Sequence, residues 1–260
     1  MPQADEMERK AQALRPRLPE HPWMPNVSAD YQRIQAPLTW GGIWQAPGLA
    51  LDLRCLATIS AQCVNGWDFG LQHHIRMGLG LGMSPHKIKG IFIQLLFYAG
   101  IPATVFGLLQ AQKVINERPE WKRADTPSQE RWLDTLEEKL AAATELRTSL
   151  WGEQANQEIE NSIAQQLTPE ASDIVDGYNF GEVWRRSDLT PKERMVCVLA
   201  ALMARGHWSQ LRQYIGYALN MGLERQEICQ VISQAGWYRG WPHVEDGLEQ
   251  ARQVFAGRDG

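Results

Sequence analysis

The 260-residue sequence has little that is typical of a β-protein, a disulfide-stabilised protein or a nucleic-acid-binding protein. Strand signals are nearly absent, because no long apolar/polar alternation occurs and no Asn-Gly or Asp-Gly dipeptide joins two such segments. The four cysteines form no C-x-x-C pair and lie mostly on apolar stretches, which predicts buried thiols in a reducing compartment, the cytoplasm. A net charge of −4 gives no electrostatic reason to bind nucleic acid or an anionic membrane.

Long uncharged runs are also scarce, with one exception at residues 90–109. Gly100 and Pro102 interrupt this run, and the equivalent residues 230–249 of the repeat described below include Arg239, His243, Glu245 and Asp246. We therefore predict two buried helices joined by a turn rather than a membrane span. The charged N-terminus has no apolar segment behind it and is not typical of a signal peptide. The six histidines show no metal-ligand spacing, so no metal site is predicted.

The sequence contains the same segment twice, at one fixed offset along the chain. Residues 41–115 align without a gap to residues 181–255, with about twenty of seventy-five positions identical. The identical positions include Arg54 and Arg194, Gln94 and Gln234, Tyr98 and Tyr238, Gly100 and Gly240, and Pro102 and Pro242. Two copies in one chain indicate that a contact between subunits has become internal and that two sites, once identical, have been free to diverge.

Helical periodicity in both copies predicts an all-α fold. Leu71, Ile75 and Leu79 form a stripe at every fourth position, and the same stripe recurs at the equivalent positions of the second copy. Thr190-Pro191, followed by Glu193, is typical of a capped helix start. The predicted main helices are residues 50–65, 67–81, 85–98 and 102–115 in the first copy and 190–205, 207–221, 225–238 and 242–255 in the second.

These patterns divide the chain into four parts. Residues 1–26 form an N-terminal arm, a short helix followed by a proline-containing segment that is extended across a neighbour or disordered. A first unit spans 27–116, a polar helical linker spans 117–144, and a second unit spans 145–260.

Two local motifs occur in both copies. Residues 178–185 read YNFGEVWR and residues 40–44 read WGGIW, while Gln94 precedes a Tyr-x-Gly-x-Pro sequence at 98–102 that recurs at 238–242. These motifs resemble the Trp-Gly-Glu-x-Trp-x-Arg and Tyr-x-Gly-x-Pro segments of the carboxymuconolactone decarboxylase family. The resemblance implies two tandem helical units of the alkylhydroperoxidase-like fold.

The alkylhydroperoxidase branch of this fold carries a redox motif, C-x-x-C-x-x-x-His, on its second helix. The positions of that motif are held by Trp67, Gly70 and His74 in the first copy and by His207, Gln210 and Tyr214 in the second. Peroxide reduction requires a thiolate, and neither copy has a cysteine at these positions. A redox alternative would therefore depend on Cys63 or Cys229 outside the motif.

The reaction that the resemblance implies is loss of CO2 from a lactone or aromatic-derived carboxylic acid, without metal or organic cofactor. An enolate-like intermediate must be stabilised and then protonated at carbon, and histidine suits the role of proton donor. We predict that His74 is this donor. Gly70 and Gly78 on either side of it predict a hollow beside the imidazole, although the same glycines would also admit a crossing helix.

The second copy has Tyr214 in place of the histidine but keeps Glu182 where the first has Gly42. Two hypotheses follow: the second site has lost its activity, or one composite site uses His74 and Glu182 as its catalytic pair. Arg54 and Arg194 are interpreted as helix-end ion pairs. The predicted substrate-binding residues are arginines for a carboxylate, aromatic walls and one buried amide: Trp44, Trp67, Arg76, Gln94, Tyr98, Trp184, Arg185 and Tyr214.

A second hypothesis, from another class, is a helical binding or assembly protein that kept the fold without the chemistry, and the redox alternative is the third. Single-unit relatives assemble as trimers or hexamers. The resemblance therefore implies a homotrimer of this two-unit chain, with a small-molecule substrate as its other partner.

Overall fold

The computed structural model describes residues 4–14, 28–126 and 130–259, and these residues contain helices and no strand. The predicted proline-containing part of the N-terminal arm lies outside the described residues. The α-helices are α1 Ala4–Leu14, α2 Ala29–Ala36, α3 Leu51–Asn65, α4 Asp68–Gly80, α5 Pro85–Ala99, α6 Ile101–Ile115, α7 Pro119–Ala124, α8 Leu136–Trp151, α9 Glu153–Glu160, α10 Ile163–Leu167, α11 Pro169–Asn179, α12 Pro191–Arg205, α13 Trp208–Asn220, α14 Arg225–Trp237 and α15 Trp241–Asp259.

The predicted all-α fold is confirmed, and the helices of the second unit recur at the offset of the sequence repeat. α3 and α12 each end at a glycine with a φ of 71°, Gly66 and Gly206, a conformation that favours glycine. The predicted capped start of α12 is present, because Thr190 accepts from the Glu193 N–H and the Glu193 carboxylate accepts from the Thr190 N–H. α5 and α6 join at Gly100, with a φ of 85°. Within the described ranges, no helix is both long and apolar enough to cross a bilayer.

The two units face each other across α3 and α12. These helices pack together, α5 of the first unit packs on α12, and α14 of the second unit packs on α3. The arrangement is reciprocal, as expected when a former subunit contact lies within one chain. A short 3₁₀ turn precedes α3 at Ile43–Gln45, and another precedes α12 at Val183–Arg185. Each turn carries a buried tryptophan.

The predicted linker contains α7 and the first part of α8. α8 begins at a capping box formed by Thr135 and Glu138, and it stops before Gly152. The predicted boundary at residue 145 falls inside this helix. α8 packs on α11 and α13 and so covers one side of the second unit.

Candidate active site

His74 lies on α4 with a side chain that is only 3% exposed. Its Nδ1 is 2.7 Å from the Gly70 carbonyl oxygen, and its Nε2 is 3.0 Å from the hydroxyl of Tyr238. The Trp44 indole stacks on the imidazole, with ring centroids 5.6 Å apart and planes 9° apart. Each ring nitrogen therefore has a fixed partner, and one face of the ring is covered.

These contacts define which nitrogen carries hydrogen in neutral His74. A carbonyl only accepts, so Nδ1–H donates to Gly70. Nε2 then presents its lone pair to the Tyr238 hydroxyl, which donates to it. The hydrogen between the two side chains accordingly belongs to the phenol of Tyr238 in this state.

The Tyr238 oxygen also accepts a hydrogen bond. The Trp44 Nε1–H donates to it at 3.0 Å. Burial raises the pKa of Tyr238 above its usual range, while the polar side chains of Trp44 and Thr58 oppose that rise. Tyr238 is thus held as a neutral phenol whose O–H is directed at His74.

A chain of donors ends at the Thr58 hydroxyl. The Gln234 Nε2 donates to the Thr58 Oγ1 at 3.0 Å, and the Arg54 Nη1 donates to the Gln234 Oε1 at 3.0 Å. We call His74, Tyr238, Trp44, Thr58 and Gln234 the first centre. It is shared between units, because Tyr238 and Gln234 come from the second unit.

The equivalent positions of the repeat form a second centre of different chemistry, made of Tyr214, Tyr98, Trp184, Val198 and Gln94. The Tyr98 hydroxyl is 3.0 Å from the Tyr214 hydroxyl and accepts from the Trp184 Nε1–H at 2.9 Å. Burial raises the pKa of Tyr214 well above its usual value. Two neutral phenols therefore replace the phenol–imidazole pair.

Two buried arginines accompany these centres, and their charges are balanced differently. Asp188 lies 2.5 Å from the Arg194 Nη2, which is the ion pair predicted for Arg194, and its other oxygen lies 2.8 Å from the Arg186 Nη2. Arg54 instead donates to the oxygens of Ile43, Ala46, Gln230 and Gln234, and no carboxylate among the described residues lies within 4 Å of it. The predicted ion pair is thus wrong for Arg54, since Gly48 stands at the position equivalent to Asp188. Burial lowers the pKa of Arg54 to about 10.

Comparison with known proteins identifies the family of both units. A model of the carboxymuconolactone decarboxylase family matches residues 29–113 and 169–253, at the offset of the sequence repeat. The chain belongs to the carboxymuconolactone decarboxylase family. The two matches support a tandem duplication of the family unit.

Individual proteins are similar to only part of this chain. The chain is 27% identical over 120 residues to 4-carboxymuconolactone decarboxylase of Acinetobacter baylyi, covering 46% of this chain and 88% of that protein. It is 27% identical over 97 residues to nitrosuccinic acid decarboxylase of Metarhizium robertsii, covering 36% and 68%. An uncharacterised 15.0 kDa protein of Paracoccus denitrificans is 32% identical over 82 residues, covering 31% and 61%. The names of two of these relatives indicate a decarboxylase-like family. Each match covers less than half of this chain, which has two units.

Among the described residues, the two glycines beside His74 do not open the hollow that was predicted there. A side chain at Gly70 would collide with the Trp67 ring, 2.4 Å from an added Cβ, and one at Gly78 would meet Ile88 and Met83 at 3.0 Å. Other side chains occupy the space beside both glycines. At Gly78 one of them is Ile88, which belongs to the crossing helix α5. Two cavities, of about 190 and 160 Å³, lie in the second unit and the linker and are not lined by His74.

The predicted partner of His74 lies elsewhere. The Glu182 carboxylate is 2.9 Å from the Lys139 Nζ and accepts from the Leu133 N–H at 2.9 Å. The structure therefore does not bring Glu182 and His74 together, because both partners of Glu182 belong to the linker. The residue that the second unit contributes to His74 is Tyr238, which was not among the predicted site residues.

The other predicted residues divide by location. Trp44 lies in the first centre, while Tyr98, Trp184, Tyr214 and Gln94 lie in the second, where Gln94 accepts from Arg194 at 2.8 Å. Trp67 lies over Gly70 and is 45% exposed. The two predicted carboxylate-binding arginines are engaged with protein: Arg76 binds both oxygens of Glu117, and Arg185 donates to the Gly181 carbonyl.

Sequence reasoning did not select Thr58 or Tyr238 for the site, and of the two repeated glutamines it selected Gln94 rather than Gln234. A signal for two of them was present, since a glutamine on an apolar helix and a tyrosine before Gly-x-Pro are repeated in both copies. The sequence alone does not show that each unit contributes a tyrosine to the site of the other unit.

Proposed function

We propose that this protein is a cofactor-independent lyase that removes CO2 from a lactone or aromatic-derived carboxylic acid, and that the first centre is its active site. The observation that carries the proposal is the 3.0 Å hydrogen bond between the His74 Nε2 and the Tyr238 hydroxyl. The bond from the His74 Nδ1 to the Gly70 carbonyl and the bond from Trp44 to the Tyr238 oxygen hold the two side chains in place. Membership of a family whose relatives include decarboxylases supports the reaction class.

In the proposed reaction, the bond between the carboxylate carbon and its neighbouring carbon breaks, and its electron pair moves into a conjugated carbonyl of the substrate. The resulting enolate is then protonated at carbon. On substrate binding, the Tyr238 O–H turns from His74 to the substrate carbon and transfers its proton, which leaves a phenolate. His74, released from that bond, takes up a solvent proton at Nε2 and returns it to the phenolate oxygen. Electrons and protons balance without an oxidant or an electron-accepting group.

The surroundings of the two side chains suit this step. Trp44 stacks on the imidazole, and an aromatic face stabilises an imidazolium. Arg54 carries a positive charge that no carboxylate of the described residues offsets, and a positive potential favours an enolate. In the second centre, Asp188 pairs with Arg194 and also with Arg186, so two guanidiniums share one carboxylate. We assign turnover to the first centre because the second centre has Tyr214 in place of the imidazole, and we propose that the second centre has lost this activity.

Substrate entry requires that aromatic side chains move. The Trp40 ring lies 6.5 Å from the His74 ring, and both Trp40 and Trp67 retain contact with solvent. Displacement of either indole would open a path to the partly exposed Tyr238. Substrate binding is therefore expected to change tryptophan fluorescence before any product forms.

The test is His74→Gln, assayed for CO2 release and for loss of ultraviolet absorbance with a panel of carboxylated lactones and aromatic-derived acids. We expect loss of at least about 100-fold in kcat, because general acid catalysis contributes about that much. The matched control is His86→Gln on α5, outside both centres, which should retain wild-type turnover. Undiminished turnover in His74→Gln would contradict the proposal.

The runner-up is a binding or assembly protein without catalysis, which the closed packing around His74 favours. This alternative predicts no CO2 release from the wild type with any acid of the panel, together with saturable binding of one of them. Wild-type turnover that disappears in His74→Gln would exclude it.

We also propose that three chains assemble. On the solvent side of α6, Ile101, Val105 and Leu109 are 68%, 48% and 58% exposed. The equivalent positions of α15 hold Trp241, Glu245 and Glu249. An exposed apolar helix face on one unit only is typical of a contact surface. Light scattering should give three times the chain mass of 29.5 kDa, and a monomer mass would contradict this proposal.

A further inference from the structure

A cavity of about 190 Å³ is lined by residues of α8, α9, α13 and α15, on the side of the second unit that the linker helices cover. Its volume is about six times that of one water molecule in the liquid, so it can hold a small organic molecule. The buried Trp151 ring lines it and stacks on the Tyr217 ring, with centroids 4.6 Å apart and planes 5° apart. Trp151 also contacts the Tyr214 ring at 5.8 Å, so the cavity adjoins the second centre.

Arg212 of α13 brings a positive charge to the wall of this cavity. Its Nε and Nη2 both donate to the Gln250 Oε1, at 3.1 and 2.6 Å, so its described hydrogen bonds go to one neutral amide. Glu249, the residue before Gln250, pairs with Arg252 at 2.7 Å. The Arg212 guanidinium is therefore held in place without a carboxylate of its own among the described side chains.

A second guanidinium, that of Arg258 on α15, lines the same cavity. Its Nη2 donates to the Gly216 carbonyl oxygen at 3.0 Å and to the Asn220 Oδ1 at 2.5 Å, and both acceptors are neutral. No carboxylate of a described side chain lies within 4 Å of either guanidinium. Because the guanidinium fork matches a carboxylate in charge and in geometry, this end of the cavity suits an organic acid.

The linker contributes a carboxylate to the cavity, that of Glu158 on α9. Its Oε2 accepts from the Tyr217 hydroxyl at 2.5 Å and from the Gln213 Nε2 at 3.0 Å, and its Oε1 accepts from the Gln154 Nε2 at 3.3 Å. An ionised carboxylate offers about four acceptor positions, so one remains for a donor inside the cavity. A ligand that satisfies both ends combines a carboxylate with a hydrogen-bond donor.

The charge of the cavity indicates which donor this is. Arg212, Arg258 and Glu158 are the charged side chains that line it, and two positive groups and one negative group leave one positive charge. A hydroxycarboxylate, with one negative charge and a neutral O–H, balances that charge. An amino acid is neutral overall and would leave it unbalanced, so complementarity favours the hydroxy acid.

The space itself depends on a glycine of α13. A Cβ added to Gly216 would meet no neighbouring atom within 4 Å. The equivalent residue of the first unit is Arg76, which binds Glu117, and Gln72 stands there in place of Arg212. Glycine inside a helix costs about 1 kcal/mol relative to alanine, and here no close contact requires it. The open wall and its charge are thus not repeated at these positions of the first unit.

We propose that this cavity is a binding site for a small hydroxycarboxylic acid. Arg212 and Arg258 hold the carboxylate, Glu158 accepts from the hydroxyl, and the absent side chain of Gly216 leaves the room. After the duplication, the second unit has become a binding unit beside a centre that lacks the imidazole. The site is independent of the proposed reaction, because His74 and Tyr238 do not line the cavity.

The first experiment titrates the full chain with 4-hydroxybenzoate by calorimetry. We expect Arg212→Gln and Arg258→Gln each to raise Kd at least about 10-fold, since each removes a charge-assisted bond to the carboxylate. Arg123→Gln, at an exposed position of α7, is the matched control and should keep the wild-type Kd. An unchanged Kd in both cavity variants, or no saturable binding to the wild type below about 10 mM, would overturn the proposal.

The second experiment varies the ligand to test the two ends separately. Benzoate lacks the hydroxyl and 4-hydroxybenzamide lacks the charge, and each should bind at least about fivefold more weakly than 4-hydroxybenzoate. Glu158→Gln should weaken binding of 4-hydroxybenzoate but not of benzoate, because only the former has a hydroxyl for the carboxylate. An equal effect of Glu158→Gln on both acids would contradict the role of Glu158 and with it the hydroxy acid as ligand.

The third experiment fills the cavity without disturbing the helix. Leucine is a better helix former than glycine, so Gly216→Leu should melt no lower than the wild type, yet its side chain occupies the ligand's space and should raise Kd at least about 30-fold. Gly216→Ala is the matched control, because it gains a similar helix propensity and adds a single carbon. Full affinity in a folded Gly216→Leu protein would show that the ligand binds elsewhere and would overturn the proposal.

His74→Gln separates this site from the first centre. We expect it to bind 4-hydroxybenzoate with the wild-type Kd, whether or not it releases CO2 from any acid. Loss of binding in His74→Gln would place the ligand in the first centre and contradict the proposal. Undiminished CO2 release by His74→Gln would contradict the proposed function and leave the cavity's role as a binding site unaffected.

Discussion

Tyr238 and His74 are 164 positions apart in the chain and belong to different units, yet the phenol oxygen and the imidazole Nε2 are 3.0 Å apart. Neither unit alone contains this pair. The duplication therefore does more than enlarge the core, because each copy supplies a tyrosine to the other copy's second helix. The first centre depends on how the two units are docked.

Removing only the hydroxyl tests this relationship. Tyr238→Phe keeps the ring beside His74 but removes the O–H that donates to Nε2 and accepts from Trp44. We expect a fall in kcat of about 100-fold, since the proton-transferring group is lost while the apolar packing remains. Steady-state kinetics of CO2 release will measure it. Tyr31→Phe, an exposed tyrosine of α2, is the control, and equal turnover in the two variants would exclude Tyr238 from the reaction.

Trp44→Phe separates stacking from hydrogen bonding. Phenylalanine retains an aromatic face for His74 but cannot donate to the Tyr238 oxygen. One lost hydrogen bond of about 1 kcal/mol corresponds to a fall in kcat of roughly fivefold. Trp121→Phe on α7 is the control for the loss of an indole. A fall in kcat as large as that of Tyr238→Phe would show that the stacking geometry, rather than the bond, had been lost.

The unbalanced charge of Arg54 gives a prediction with two effects of opposite sign. Gln230→Glu replaces an amide oxygen 2.9 Å from the Arg54 Nη2 by a carboxylate of the same size. The new ion pair should stabilise the fold, because burial alone disfavours the guanidinium charge. It should also lower kcat severalfold, because it neutralises the potential that favours the enolate.

Thermal melting and steady-state kinetics of the same preparation measure both effects of Gln230→Glu. Gln157→Glu is the matched control, since it makes the same change of charge on α9, at an exposed position outside both centres. A rise in melting temperature without any fall in kcat would show that Arg54 stabilises the fold and has no electrostatic role in turnover.

The all-α fold and the repeat could be predicted from the sequence because both depend on local signals. The apolar stripe of Leu71, Ile75 and Leu79 and the capped start at Thr190 set helix positions to within a few residues of those observed. Because the offset between the copies is fixed, a helix predicted in one unit also predicts the equivalent helix in the other unit.

The candidate site was predicted only in part, because its contacts cross between units. His74 and Trp44 stand out in the sequence through the family motif. Tyr238 also belongs to a family motif, but nothing local indicates that it faces the other unit. Glu182 was selected for its place in the motif, but Lys139, which pairs with it, lies on a linker helix that no family motif covers. Gly70 suggested an open space, since the sequence cannot show that the Trp67 ring folds back over it.

The stability of the interface should depend on pH through Glu193. Its carboxylate is 2.6 Å from the Lys87 Nζ of the first unit. Burial raises its pKa, but the bonds from Lys87 and the Thr190 N–H outweigh burial, so the pKa is lower than usual. A carboxylate with a depressed pKa stabilises the fold above its unfolded pKa, and this contribution disappears as the pH falls through the folded value.

Glu193→Gln is therefore expected to lower the free energy of unfolding by about 1 kcal/mol at pH 7, through loss of the ion pair and of part of the helix cap. The difference from the wild type should shrink as the pH falls below about 4. Urea unfolding at a series of pH values will measure it, with Glu120→Gln at an exposed position as the control. A difference that is constant with pH would mean that the charge of Glu193 does not contribute.

The four cysteines, all of them free thiols, test the redox alternative. Burial raises the pKa of Cys63 and of Cys197 to about 12, so only about one thiol in ten thousand is ionised at pH 8. Cys55 is also fully buried and Cys229 is half-buried, with a raised pKa. We expect slow reaction of the native protein with a thiol reagent, beginning at Cys229, and rapid reaction of all four in guanidinium. A thiol in the native protein that reacts as fast as a free cysteine at pH 7, and is oxidised by peroxide with loss of that reactivity, would instead favour a peroxidase.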